Sequence, residues 1–114
     1  VVLDTKKKVA DEMSAAFRAG DYQECLDVAV DECSARPDDC TAWRYRGMAL
    51  VELDRPNEAL EIFGQGIDVA EASHFASDAE AELPRLMVQR GRLYLQLRQG
   101  SDALKDLQQA MNLA

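Results

Sequence analysis

Residues 41–63, TAWRYRGMALVELDRPNEALEIF, constrain the fold more than any other stretch of this chain. Trp43, Gly47 and Leu50 recur at three- and four-residue spacing, which places them on one face of a helix. Asp54-Arg55-Pro56-Asn57 then breaks the pattern with turn-forming residues. Ala59 and Phe63 start a second apolar stripe at the same spacing. The unit is therefore helix, tight turn, helix. Gly47 and Ala59 let two backbones approach closely, with Trp43 and Phe63 filling the space beside them.

This order of aromatic, glycine, alanine and aromatic resembles the tetratricopeptide repeat. Arg46 stands where that family prefers leucine, and Leu50 where it prefers tyrosine. The pattern recurs upstream at a period of about 34 residues. Gly20-Asp21-Tyr22 falls on the turn, Cys25 on Ala59, Ala29 on Phe63 and Val9 on Trp43, while Met13 replaces the glycine and Pro37 closes the unit. Downstream, Gly91, Tyr94, Ala103 and Ala110 fit the pattern, but Gly91 lies 44 residues after Gly47, so about ten residues are inserted. The resemblance covers nearly the whole chain. It implies an all-α, right-handed superhelical solenoid of three helix-turn-helix repeats, approximately 3–37, 40–73 and 84–114, with the insertion around 71–84 and about six antiparallel helices.

Bulk properties agree with one helical domain. The 114 residues are rich in Ala, Leu, Asp and Glu and poor in glycine and proline. The net charge of −8 argues against nucleic acid, whose phosphates need a basic surface. No apolar run approaches the roughly 18 residues of a membrane span, and there is no signal peptide, so a cytoplasmic protein without membrane contact is expected. The chain opens on Val1 rather than methionine, which reads as a piece of something longer. Three cysteines, Cys25, Cys33 and Cys40, read as small core residues in a reducing compartment. Cys25 and Cys33 are too far apart along one helix to bridge. The only histidine, His74, is distant from them, so no metal site is expected.

Taken in order, residues 3–19 predict the first helix, with Lys6-Lys7-Lys8 on a solvated face, and residues 22–35 the second, with Leu26, Ala29, Val30 and Cys33 inward. Asp38 or Asp39 caps a third helix over about 40–53. A fourth starts near Asn57 and runs past Ala70, burying Leu60, Phe63 and Ile67. Two starts fit the fifth. Ser77-Asp78-Ala79-Glu80 reads as a capping box, which leaves Pro84 inside the helix to kink it; the alternative start is Pro84 itself. The sixth, about 102–113, directs Leu104, Leu107, Ala110 and Met111 to the core. No further helix covers it, which suggests truncation or self-association through that end.

No nucleophile motif, phosphate-binding glycine loop or catalytic carboxylate pair stands out, so neither an enzyme nor a cofactor is expected. The resemblance implies instead that the first helix of each repeat lines a groove for an extended peptide. Transferred onto this sequence, the lining is Lys7, Ala10, Ser14, Phe17 and Arg18; then Thr41, Arg44, Met48, Val51 and Glu52; then Arg85, Val88, Arg92, Leu95 and Gln96. Lys7, Phe17, Arg18, Arg44, Met48, Arg85, Arg92 and Leu95 are the binding candidates. Five basic residues and one acid in a strongly acidic chain suit an acidic peptide with hydrophobic anchors, because arginine grips carboxylates by paired hydrogen bonds. The bland alternative is that these arginines pair with acids on neighbouring helices. The family's clamp for chaperone C-terminal carboxylates would use the places held by Ala10, Ser14, Tyr45, Arg85 and Gln89, of which only Arg85 carries suitable charge. A structural role, as a scaffold or a self-associating module using Leu107 and Met111, is the competing class.

Overall fold

The computed structural model, described over residues 2–73 and 78–113, is all-helical, with six helices and no strand among the described residues. They are α1 (Val2–Arg18), α2 (Tyr22–Ala35), α3 (Cys40–Glu52), α4 (Pro56–Ala72), α5 (Ala79–Gln96) and α6 (Gly100–Leu113). Pro56 opens α4, where its missing N–H matters least. Of the two starts that fit the fifth helix, the earlier is the one observed: α5 begins at Ala79 and carries Pro84 inside it. Ser77 of the expected capping box, like His74, lies outside the described residues.

Three of the turns are built alike. After α1, the N–H of Asp21 reaches back to the Ala16 carbonyl (2.9 Å) and that of Gly20 to Phe17 (3.1 Å). After α3, Arg55 bonds Leu50 (2.9 Å) and Asp54 bonds Val51 (3.1 Å). After α5, Gln99 bonds Tyr94 (2.8 Å) and Arg98 bonds Leu95 (3.0 Å). Each is a Schellman closure, which satisfies the orphan carbonyls of a helix end by placing one residue in the left-handed region. Those residues are Gly20 (φ 82°), Asp54 (φ 59°) and Arg98 (φ 61°). The same turn residues then start the next helix, the carbonyls of Asp21, Arg55 and Gln99 accepting from Cys25, Ala59 and Ala103. Corresponding positions are separated by 34 and then 44 residues, the intervals at which the sequence pattern recurs.

Each helix packs on the next along the chain, and α3 also touches α1 and α5. Among the described residues the even helices do not touch one another, and α6 touches α5 alone. Phe63, Met13, Leu86, Cys25 and Cys40 are the largest fully buried side chains. Burying a phenylalanine is worth about 2–3 kcal/mol. Phe63 fits because Gly47 has no side chain: a Cβ there would lie 2.3 Å from the ring. Gly91 repeats this arrangement with Leu107, at 3.0 Å. Trp43 keeps its ring half-buried and its Nε1 donates to the Pro37 carbonyl at 2.8 Å, so the indole loses no hydrogen bond.

On the inward stripes of α2 and α4, Leu26, Ala29, Cys33, Phe63 and Ile67 are buried as expected, while Val30 and Leu60 are half-buried against the core. On α6 the expectation fails in part. Ala110 is buried and Leu107 half-buried, but Leu104 and Met111 are 58 % and 75 % exposed. The physical reason is that among the described residues α6 has one neighbour, so only its stripe against α5 is shielded.

Candidate functional site

Some of the α1, α3 and α5 side chains expected to share one groove sort into two hollows. The first, about 190 Å³, takes Phe17 from α1, Met48, Val51 and Glu52 from α3, and Gln89, Arg92, Leu93 and Gln96 from α5. Phe17 is fixed edge-on by Tyr22 (ring centroids 5.2 Å apart) and by Tyr45 (6.2 Å), which holds an aromatic wall in place. Met48 and Val51 are half-buried and Arg92 is exposed, so apolar side chains lie beside a cation in a hollow whose lining is more polar than apolar overall. Glu52 stands on the same rim. Met48 and Arg92 meet here because each is helical spacing away from the face that contacts the even helices.

The second hollow, about 590 Å³, is lined almost wholly by apolar surface between α5 and α6, from Pro84, Val88, Leu107, Ala110 and Met111, with Arg44 and Arg85 at its edge. Gln89 borders both hollows. Of the candidates named from sequence, Phe17, Met48 and Arg92 are therefore brought together, while Arg44 and Arg85 belong to the other hollow. Lys7 and Arg18 are exposed on α1 and Leu95 is 55 % exposed on α5; none of the three lines either hollow.

A residue that sequence reasoning passed over controls two of the arginines. Glu82 is 2 % exposed. Its carboxylate accepts from both Nε and Nη2 of Arg44, the latter at 3.3 Å, and from Nη1 of Arg85 at 3.0 Å. Arg44 also lies over the Tyr45 ring at 4.8 Å and its side chain is only 15 % exposed. Its guanidinium is thus engaged within the fold, as the bland alternative anticipated. Arg85 contributes one bond to the pair and keeps a side chain 61 % exposed. The signal for Glu82 was an acid three residues before Arg85, but its link to Arg44 spans 38 residues across the insertion.

Asp78 also departs from the role its sequence suggests. Its side chain makes no cap bond within α5. Instead Oδ2 accepts from the N–H (3.0 Å) and hydroxyl (3.1 Å) of Thr41, at the start of α3. The α3 N-cap, Asp39, accepts from the Ala42 N–H at 3.4 Å. Burial, with Glu32 and Asp78 close by, raises the Asp39 carboxyl to about 7. Burial also pushes Glu32 upward, but the hydrogen-bonded fork of Arg36, at 2.6 and 2.8 Å, and Asp39 outweigh it and leave Glu32 below its usual range. The three cysteines are free and buried. Burial pushes Cys25 and Cys33 up to about 11 and Cys40 to about 12, so all three are thiols at neutral pH and poor nucleophiles. No helix among the described residues is long and apolar enough to cross a membrane.

No protein-family model matches this chain, and no curated protein matches its sequence.

Proposed function

We propose that the chain is a solenoid of three tetratricopeptide-type repeats that binds an extended, acidic segment of another protein and catalyses nothing. Support for the repeats comes from the three Schellman turns at intervals of 34 and 44 residues. Contacts among the odd helices, without contacts among the even ones, suit an array curved with α1, α3 and α5 on its inner side. The single observation that carries the binding reading is the hollow to which α1, α3 and α5 all contribute, with Phe17, Met48 and Val51 as its apolar surface and Arg92 exposed at its edge. In this reading an apolar anchor of the peptide seats against Phe17 and Met48 while a neighbouring carboxylate meets Arg92. Arg18, Lys7 and Arg85 extend the positive field, and Leu95 continues the apolar track. The buried free thiols suit a reducing compartment such as the cytoplasm.

Fluorescence polarisation with labelled acidic peptides tests this, comparing wild type with Arg92→Glu and Met48→Asp. Salt-sensitive binding that both substitutions weaken at least about tenfold, or about 1.4 kcal/mol, supports the reading. Failure of a folded protein to bind any such peptide rejects it. Peptides with free and amidated C-termini separate out the chaperone-tail clamp, which Glu82 disfavours because it already engages Arg85.

A second reading, a scaffold or self-associating module, is favoured by Leu104, Met111 and Leu113, all more than half exposed on α6. Light scattering over a wide concentration range decides on self-association: a constant monomer mass removes it.

A further inference from the structure

The start of α5 is tied to the start of α3 through a carboxylate of which half is left over. Asp78 Oδ2 accepts from the Thr41 N–H at 3.0 Å and from its hydroxyl at 3.1 Å. Asp78 Oδ1 is buried and has no hydrogen-bond partner among the described residues. A buried acceptor left without a donor is costly, so such an oxygen calls for one. Facing it is Asp39, the N-cap of α3, which is 4 % exposed and whose side chain lies within hydrogen-bond reach of both Asp78 and Glu32. Two ionised carboxylates have only acceptor oxygens, so a bond between them needs a proton on one.

The donors already in place show which carboxyl carries it. Glu32 is forked by Arg36 at 2.6 and 2.8 Å. Asp78 takes two bonds from Thr41, whereas the Asp39 side chain accepts one long bond, 3.4 Å from the Ala42 N–H. The other groups gathered here do not supply a free cation. From α2 come Glu32 and Cys33, with Arg36 at its end already spent on Glu32; beside Asp39 in the chain are Asp38 and Cys40; from α5 come Asp78 and Glu82. Arg46 of α3 faces Cys33, and Lys6 of α1 faces Glu32. We propose that a proton on Asp39, donated to the unused Oδ1 of Asp78, latches the start of α5 onto the start of α3, and that its loss to solvent lets the first turn of α5 lift away. With the proton gone, two carboxylates oppose each other out of water and the Thr41 bonds are pulled on. The latch is closed in mild acid and opens as pH rises through about 7. Glu82, one turn further on, keeps its bonds to Arg44 and Arg85, so the opening stops there. None of this rests on the peptide-binding reading.

NMR on the whole chain between about pH 5 and pH 9 tests the latch, following the Asp39 side-chain carboxyl carbon and the Thr41 amide. The two signals are expected to step together near pH 7, with hydrogen exchange of the Thr41 amide, corrected for its intrinsic rate, quickening at least about tenfold across the step. Asp78→Asn keeps an oxygen for Thr41 and offers Asp39 an N–H, so the Asp39 step should move at least about one pH unit toward acid. Asp39→Asn presents a donor at every pH, so the Thr41 step should vanish and its exchange stay slow throughout. An Asp39 carboxyl that titrates near the ordinary value of about 4 overturns the proposal and gives the unused oxygen to a water. A Thr41 amide indifferent to the Asp39 step also overturns it, as does a step unmoved by Asp78→Asn, which would assign the proton to the bond with Glu32. If Asp78→Asn does not fold, the wild-type coincidence and Asp39→Asn still decide.

Discussion

The helix pairs α3/α4 and α5/α6 are made by the same local rules and end in different surroundings. Each has a glycine approached by the side chain sixteen residues later, Gly47 by Phe63 and Gly91 by Leu107. Each turns through a Schellman closure with a non-glycine residue in the left-handed region. Yet Phe63 and Ile67 are sealed, while Leu107 is half-buried and Met111 is open to solvent. The difference is α5, which covers α3/α4 and has no counterpart over α5/α6 among the described residues. Short-range pattern is enough to build a pair; only the following helix decides how much of its apolar face leaves water.

Truncation should expose this contrast most strongly. Phe63→Ala is expected to cost about 4 kcal/mol, since it empties a fully enclosed site. Leu107→Ala should cost about half as much, because one side of the residue already faces solvent. Urea denaturation measures both, and equal losses would remove the distinction between covered and uncovered pairs. Adding a methyl group gives a gentler comparison. In Gly47→Ala the new Cβ collides with the locked Phe63 ring, for a loss of about 2–3 kcal/mol. In Gly91→Ala it meets Leu107, which has room to shift, and the better helix propensity of alanine offsets much of the strain, leaving stability within about 1 kcal/mol of wild type.

The two pairs should also differ in their response to pH. Asp39, buried beside Glu32 and near Asp78 at the junction of α3 with α5, has its carboxyl raised to about 7, whereas the residue 44 positions later is Leu83. A raised carboxyl binds its proton more tightly in the folded state than in the unfolded one. Its stabilising contribution is therefore complete below about 3.8 and lost as pH rises through about 7. The amide introduced by Asp39→Asn keeps a capping oxygen but does not titrate. The variant is expected to gain roughly 3 kcal/mol on wild type between pH 4.5 and 8, read from parallel thermal melts. Superimposable pH profiles would show that Asp39 does not hold a proton in the fold.

The smallest effects should be the same in both pairs, because the turns are local. Asp54→Gly and Arg98→Gly relieve a left-handed backbone that glycine adopts freely, as Gly20 does after α1. Each is expected to stabilise by about 0.5–1 kcal/mol in a chemical melt. A gain in one turn only would break the equivalence of the two closures.

Much of this was legible in the sequence, and the limits are physical. Helical spacing located all six helices, and Gly20 marked its turn directly. Asp54 was marked by the turn-forming run that it opens, but Arg98 carries no comparable sign, since the rest of the closure forces it left-handed. Leu104 and Met111 were assigned inward because periodicity defines a stripe but not the presence of a neighbour to cover it. Of the side chains that the resemblance set on one face, Phe17, Met48 and Arg92 do line one hollow. Arg44 looked equally available because its partner, Glu82, reaches it only through tertiary packing across the insertion. Asp78 looked like a cap for its own helix and instead bonds the first turn of another.

The most direct test is to map, by backbone and methyl NMR, the residues whose signals move when an acidic peptide with apolar anchors is titrated into the protein. The expected result is a saturable response centred on Phe17, Met48, Val51 and Arg92, lost in Arg92→Glu. Shifts confined to Leu107 and Met111 on α6, or no shifts from a folded protein, would contradict peptide binding on the α1, α3 and α5 face.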